Sequence, residues 1–184
     1  RPIFSVYIEE AAASPAPAEA KRSAAEEVSA PQVTKPVQEQ ILDASYVSFY
    51  NDVFAELVDL FKQVRRTGDV NVEAVGNIVA SGRLLQLCDG MRAITQIHNM
   101  PRDGQYLLHH SLHVAILSGL MGRWLQWPMD RIQKLMIAGL LHDIGKLKIS
   151  SDILDNPGRL TKSELDIVKR HPEYGYEMLR YGQL

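Results

Sequence analysis

The stretch LLHDIGKLKI (residues 140–149) sets a histidine and an aspartate side by side in a run that is otherwise apolar. His142 follows Gly139 by three residues, so a helix would place both on one core-facing line. Lys146 comes one helical turn after His142, on the same side. Burying a carboxylate such as Asp143 is costly unless the group is paired or bound to a metal ion. The stretch therefore predicts a buried polar site inside a helical core.

Helical patterns surround this stretch on both sides. Apolar residues recur at steps of three and four from about residue 41 onward, a spacing that is typical of an amphipathic helix. They are Val47, Tyr50, Phe54, Leu57, Phe61 and Val64. Thr67-Gly68-Asp69 ends this helix, and Asn71 can cap the next one,. From residue 41 onward the sequence predicts an all-α fold.

The second half of the chain continues the helical pattern. Residues 106–127 are predicted to form one long apolar helix that carries Leu108, Leu112, Ile116, Leu120 and Trp124. Pro128 is predicted to begin another helix, which runs through the quoted stretch as far as Gly145,. Thr161-Lys162-Ser163-Glu164 spells a capping box, so a helix begins at Thr161. Pro172 can begin the last helix, and the residue before a proline, His171, is biased away from helical geometry.

The N-terminal part has a different composition. IFSVYI within residues 1–9 resembles a short strand, and we interpret residues 1–9 as the remnant of an upstream domain,. Residues 10–40 are rich in Ala, Pro and Glu and almost lack large apolar side chains, which predicts a flexible, disordered linker,. The predicted helical domain covers residues 41–184.

Composition excludes several classes of protein. The chain has 184 residues and a formal net charge of −2, so no strongly basic surface indicates nucleic-acid binding,. The single cysteine, Cys88, excludes a disulfide framework, and we expect a small buried side chain there,. No apolar run reaches the ~18 residues that a membrane span requires. A cytoplasmic protein without a membrane span is the expectation.

Three histidines and one aspartate lie where the pattern predicts apolar faces. His110 heads a line with Val114, Leu117 and Met121, and His171 lies at a helix junction. A pair between Asp143 and Lys146 would satisfy the carboxylate but would leave the histidines unexplained. A divalent metal ion explains all of them, because imidazole and carboxylate groups suit iron, manganese or zinc. Adjacent helical residues point ~100° apart, so His142 and Asp143 can share an ion from an irregular or end-of-helix position, or else they converge on it from two sides.

The motifs resemble those of a known family. His110 before Ser111, then LLHDIGK, then PGRLTKSELDIVKRHPEYGYEML resemble the HD-GYP group of HD-domain phosphohydrolases, which hydrolyse the bacterial second messenger cyclic di-GMP. The resemblance implies an HD-domain helical bundle and a di-metal centre of iron or manganese. It implies that His110, His142, Asp143 and His171 are metal ligands, that Asp143 bridges the ions, and that Lys146 is catalytic and binds the substrate phosphate.

The resemblance also leaves expectations open. The family supplies a downstream His-His pair, an Asp and a GYP loop that this sequence does not contain, so we expect a C-terminally truncated chain that holds half of the metal site and is inactive alone. The alternative is a non-catalytic HD-type signalling or docking module with protein partners. Among the remaining histidines, we expect His109 to be solvated, His113 to be packed or hydrogen-bonded and His98 to lie on the surface.

Overall fold

A computed structural model describes residues 43–100 and 105–180. Within these ranges every regular element is a helix and no strand occurs, so the predicted all-α class is confirmed. The elements are α1 (Ala44–Thr67), α2 (Val72–Ala80), α3 (Arg83–Gln86), α4 (Gly90–Asn99), α5 (Tyr106–Trp124), α6 (Met129–Leu141), the 3-10 helix η1 (Ile144–Lys148), α7 (Ser151–Leu154), α8 (Lys162–Lys169) and α9 (His171–Leu179). The predicted strand at 1–9 and linker at 10–40 lie outside the described residues, and the proposed domain boundaries stay predictions.

Local caps set the ends of the first helices. The Asp43 carboxylate accepts hydrogen bonds from the amides of Ser45 and Tyr46, which begins α1,. Gly68 ends α1 in the left-handed conformation at φ 81°, which glycine adopts without strain,. The Asn71 side chain caps α2, as predicted. The apolar line of α1 packs into one core with α2, α5 and α6.

Helices α5 and α6 form an antiparallel pair that carries much of this core. A Cβ on Gly139 of α6 would lie 2.9 Å from the Cα of Ala115 on α5, so the two backbones approach as closely as only glycine allows,. Leu112, Ile116 and Leu140 are fully buried around this contact. The helix pair therefore provides a rigid frame beside the HDIGK stretch.

Of the two apolar lines predicted on α5, the line that contains Leu112, Ile116 and Leu120 is buried and the line that His110 heads is not. Leu117 and Met121, on the line that His110 heads, are 41% and 58% exposed. The buried face instead contains Leu112 and Ile116. Apolar residues occur on both faces of α5, so the spacing alone did not distinguish the face that packs from the face that does not.

Three helix boundaries also differ from the prediction. Helix α5 ends at Trp124 and not at Trp127, and Gln126 turns the chain with φ at 54°. Pro128 is the N-cap of α6 and not its first residue. Helix α6 ends at Leu141, before the predicted end at Gly145, and η1 follows it.

The C-terminal helices begin as the sequence signals indicate, with one correction. The Thr161 hydroxyl and the Glu164 carboxylate cap each other's backbone amides, so the predicted capping box of α8 is confirmed,. His171 is already the first residue of α9, contrary to the expected bias before proline. The carbonyl group of His171 lies close to Gly145 of η1. The bias of a residue before proline away from helical geometry is weak, and packing contacts such as this one can outweigh it.

Candidate metal centre

Asp143 is the buried polar group around which the site is built, with only 4% of its surface exposed. Its Oδ2 atom accepts a hydrogen bond from the Lys146 ammonium at 2.7 Å. The same oxygen lies 3.2 Å from His142 Nε2 and 3.4 Å from His110 Nε2. The other oxygen, Oδ1, lies 3.2 Å from His171 Nε2. The four other site residues that the sequence predicts therefore converge on the carboxylate of Asp143.

The break after α6 allows this convergence. His142 is the C-cap of α6 and Asp143 stands immediately before η1, so neither continues a regular helix. On a regular helix the two side chains would point ~100° apart. Of the two arrangements expected for the pair, the structure shows the end-of-helix position. His142 does not face the apolar core, however, because its side chain is 36% exposed at the edge of the site.

Close backbone packing brings His171 to the same place. A Cβ on Gly145 of η1 would overlap the carbonyl oxygen of His171 and the amide nitrogen of Gly175 in α9. Glycine at position 145 therefore lets η1 and α9 touch through their backbones. Through this contact the HDIG and HPEYG segments pack on each other and place His171 beside Asp143.

Backbone hydrogen bonds orient two of the imidazole rings. His142 Nδ1 lies 2.9 Å from the carbonyl oxygen of Gly139, and His171 Nδ1 lies 2.8 Å from that of Val168. A carbonyl oxygen can only accept, so each Nδ1 carries the proton and donates it. In the neutral rings Nε2 then presents a lone pair toward Asp143. Histidine ligands of metal ions are commonly held in this way.

The electrostatics leave Asp143 ionised. Burial opposes its charged form, but the hydrogen bond from Lys146 and the charges of His142, Lys146 and His171 together hold the pKa of the carboxyl below its usual value. Burial is also the main reason that the pKa of His110 is lowered, and the attraction of Asp143 only partly offsets it. At neutral pH the site therefore contains a carboxylate beside at least one neutral imidazole.

The donor set fits a metal ion. His110, His142 and Asp143 each offer one ligand atom, and these atoms all lie within 4.8 Å of one another. The Nε2 atoms of His110 and His142 are 3.2 Å apart, and at most one proton can lie between them,. A cation placed among nitrogen lone pairs and a carboxylate would satisfy all of them together. The cluster can therefore hold a metal ion.

Sequence reasoning missed the aromatic neighbour of this cluster. The Tyr106 ring stacks on His110, with centroids 5.5 Å apart and planes within 10°. The two residues are four apart on α5, and that spacing was the signal that could have revealed the contact. The backbone acceptors of Gly139 and Val168 were also missed. Each lies three residues before the histidine that it orients, which is one helical turn.

The remaining histidines have structural partners. The Tyr50 hydroxyl lies 2.7 Å from His109 Nδ1 and 2.9 Å from His113 Nε2. The prediction that His113 is hydrogen-bonded is confirmed. The prediction that His109 is solvated is wrong, because its ring also stacks on Phe54 at 4.3 Å. His98 is exposed, as expected.

Comparison with known proteins agrees with this geometry. The family model described as the HD domain matches residues 107–183. Residues 107–183 are therefore similar to the HD domain. The predicted HD-GYP group is supported by relatives whose names denote cyclic di-GMP phosphodiesterases. No solved structure matches the chain.

Three relatives illustrate the similarity. A protein of Pseudomonas aeruginosa named cyclic di-GMP phosphodiesterase is 30% identical over 127 residues, which cover 68% of this chain and 30% of the relative. The cyclic di-GMP phosphodiesterase response regulator RpfG of Xanthomonas campestris is 38% identical over 84 residues, 45% of this chain and 21% of the relative. A 3'3'-cGAMP-specific phosphodiesterase of Vibrio cholerae is 44% identical over 75 residues, 40% of this chain and 16% of the relative. The chain thus spans less than a third of the length of these relatives.

None of the described helices could span a membrane. Across residues 43–100 and 105–180, no helix combines the length and the apolar character that crossing a bilayer requires,.

Proposed function

We propose that this protein is a metal-dependent phosphodiesterase that hydrolyses cyclic di-GMP. The observation that carries the proposal is the convergence of three imidazole Nε2 atoms and one ammonium group on the two oxygens of Asp143. The names of the relatives support the choice of a cyclic dinucleotide as substrate. The expectation of a cytoplasmic location is part of the same proposal.

The proposed roles follow from the positions of the residues. His110, His142 and Asp143 would hold one divalent ion, and His171, which approaches the second oxygen of Asp143, would help to hold another. Iron or manganese is the expected metal. When bound, such ions supply Lewis acidity that activates water and neutralises charge on a phosphate. The Lys146 ammonium would bind the phosphate and stabilise the charge that develops on its oxygens.

The first test is hydrolysis by the full-length protein. We expect the metal-loaded wild type to hydrolyse cyclic di-GMP, and chromatography of the products measures the turnover. Asp143→Ala should lower turnover at least ~100-fold, because it removes the group that all the proposed ligands share. Asp130→Ala, on the exposed first turn of α6, removes the same charge away from the site and serves as the control. Wild-type turnover in Asp143→Ala would refute the proposal.

The choice between related substrates is tested in the same assay. Several relatives from Vibrio cholerae are named as specific for 3'3'-cGAMP and others as cyclic di-GMP phosphodiesterases. We propose cyclic di-GMP as the preferred substrate. A higher kcat/KM for 3'3'-cGAMP would contradict this choice while leaving the metal-dependent chemistry intact.

The ion pair between Lys146 and Asp143 favours a second candidate. At 2.7 Å this pair already compensates the buried carboxylate, so the cluster could serve a non-catalytic signalling or docking module that binds protein partners,. Such a module would hold no stoichiometric metal and would hydrolyse neither cyclic dinucleotide. Metal content together with the hydrolysis assay therefore separates the two candidates.

A further inference from the structure

A cavity of about 570 Å³ lies beside the candidate metal centre. Its walls come from α1, the first turn of α5, η1 and α7, all within the described residues. Phe61, Leu108 and Leu147 give it apolar surface, and Lys62 and Arg65 of α1 add two cationic groups. The volume lies in the range of small-molecule sites, and mixed apolar and polar walls are typical of them.

Two residues belong to both the cavity and the metal centre. Lys146 lines the cavity while its ammonium group bonds to Asp143. Tyr106 lines the cavity while its ring stacks on His110. A ligand with one phosphate at Lys146 would therefore extend directly into the cavity. The Tyr106 side chain is accessible to such a ligand, since 70% of the residue is exposed.

The charge of the cavity favours an anion. Lys62, Arg65 and Lys146 line it, against a single carboxylate, Asp155. Lys62 and Arg65 are three residues apart on α1 and so share one face of the helix. Lys62 Nζ lies 3.8 Å from Asp59, at the outer limit of an ion pair, so its charge is only weakly compensated,.

We propose that this cavity binds the half of a cyclic dinucleotide that is not being hydrolysed, with Lys62 and Arg65 on its second phosphodiester and Tyr106 stacked on a base. The inference rests on the proposed function. A cyclic dinucleotide carries two phosphodiester anions in one ring, and only one of them can lie at the metal centre. The other needs cations at a distance from the centre, and flat purine bases suit an aromatic and apolar wall.

The test compares a substrate that has two phosphodiesters with one that has a single phosphodiester. We expect Lys62→Ala/Arg65→Ala to raise KM for cyclic di-GMP at least about tenfold, because the variant loses both cations that contact the second phosphodiester. The ratio of kcat/KM for cyclic di-GMP to kcat/KM for bis(p-nitrophenyl) phosphate should fall by the same factor. Arg66→Ala/Lys134→Ala is the matched control, because it removes two exposed positive charges that do not line the cavity. The control should keep the wild-type ratio.

The outcomes separate this inference from the proposed function. A wild-type protein that hydrolyses no cyclic dinucleotide refutes the proposed function itself. A wild-type protein that hydrolyses cyclic di-GMP, with an unchanged ratio in Lys62→Ala/Arg65→Ala, refutes only the cavity assignment. An equal fall of the kcat/KM ratio in the control variant would show that the effect comes from general electrostatic attraction of the anionic substrate. This result would also overturn the cavity assignment. Thermal unfolding of each variant checks folding, and the milder Lys62→Gln should lower the ratio in the same direction.

Discussion

Asp143 shows how a single residue constrains its surroundings. A carboxylate that is only 4% exposed is stable as an anion only when positive charge or hydrogen-bond donors surround it,. Lys146 supplies one such group, and backbone carbonyl groups orient two of the three imidazole rings that surround the carboxylate. The Asp143 carboxylate is therefore a buried charge that is costly for the fold and is also the centre of the candidate site.

A second carboxylate, Asp43, links stability to pH. Hydrogen bonds from the Ser45 side chain and the Tyr46 amide, and the bonded Arg92 guanidinium, hold its pKa well below the usual value. Because the folded pKa lies below the unfolded value of about 4, the stabilisation is complete above pH ~4 and is lost as the pH falls further.

The prediction concerns the difference in melting temperature between the wild type and Asp43→Asn. This substitution is chosen because asparagine can still cap α1 but cannot carry the charge. We expect the wild type to melt at a higher temperature at pH 6, and this advantage to shrink progressively below pH ~4. Thermal unfolding from pH 6 to pH 3 measures it, and the other carboxylates cancel in the difference. An advantage that stays constant over this range would contradict the account.

At the scale of elements, the contact between η1 and α9 matters most for the site. The backbones meet at Gly145, where a side chain would collide with the carbonyl oxygen of His171. Gly175 faces the same contact from α9, but a Cβ there would lie at ordinary distances, 3.5 Å from Gly145 N and 3.6 Å from Ile144 Cγ2. The two glycines are therefore not equivalent, although both belong to the recognisable motifs.

This asymmetry predicts different costs for two similar substitutions. Gly145→Ala should force η1 away from α9, destabilise the protein by about 2 kcal/mol or more, and weaken metal binding by displacing His171. Gly175→Ala should cost less than ~1 kcal/mol and keep the metal. Chemical denaturation with metal analysis measures both effects. Equal losses of stability and of metal content in the two variants would show that the backbone contact does not position His171.

At the scale of the whole molecule, the sequence predicted the site better than it predicted the faces of the helices. The residues around Asp143 could be identified because buried polar groups are costly and their motifs are specific. The inward face of α5 could not be identified, because Leu117 and Met121 are as apolar as Leu112 and Ile116. Helix α6 ends at Leu141 and α9 begins at His171. Both boundaries lie near the place where Gly145 contacts α9. Contacts between distant segments cannot be predicted from the residues on either side of a boundary.

The central claim is that the four side chains His110, His142, Asp143 and His171 form a metal centre. The most direct measurement is the metal content of the purified full-length protein and of its Asp143→Ala variant, by inductively coupled plasma mass spectrometry. We predict close to two ions of iron or manganese per wild-type chain and a loss of most of that metal in Asp143→Ala. A wild-type protein that holds no metal after loading, or an Asp143→Ala variant that retains the full content, would contradict the account.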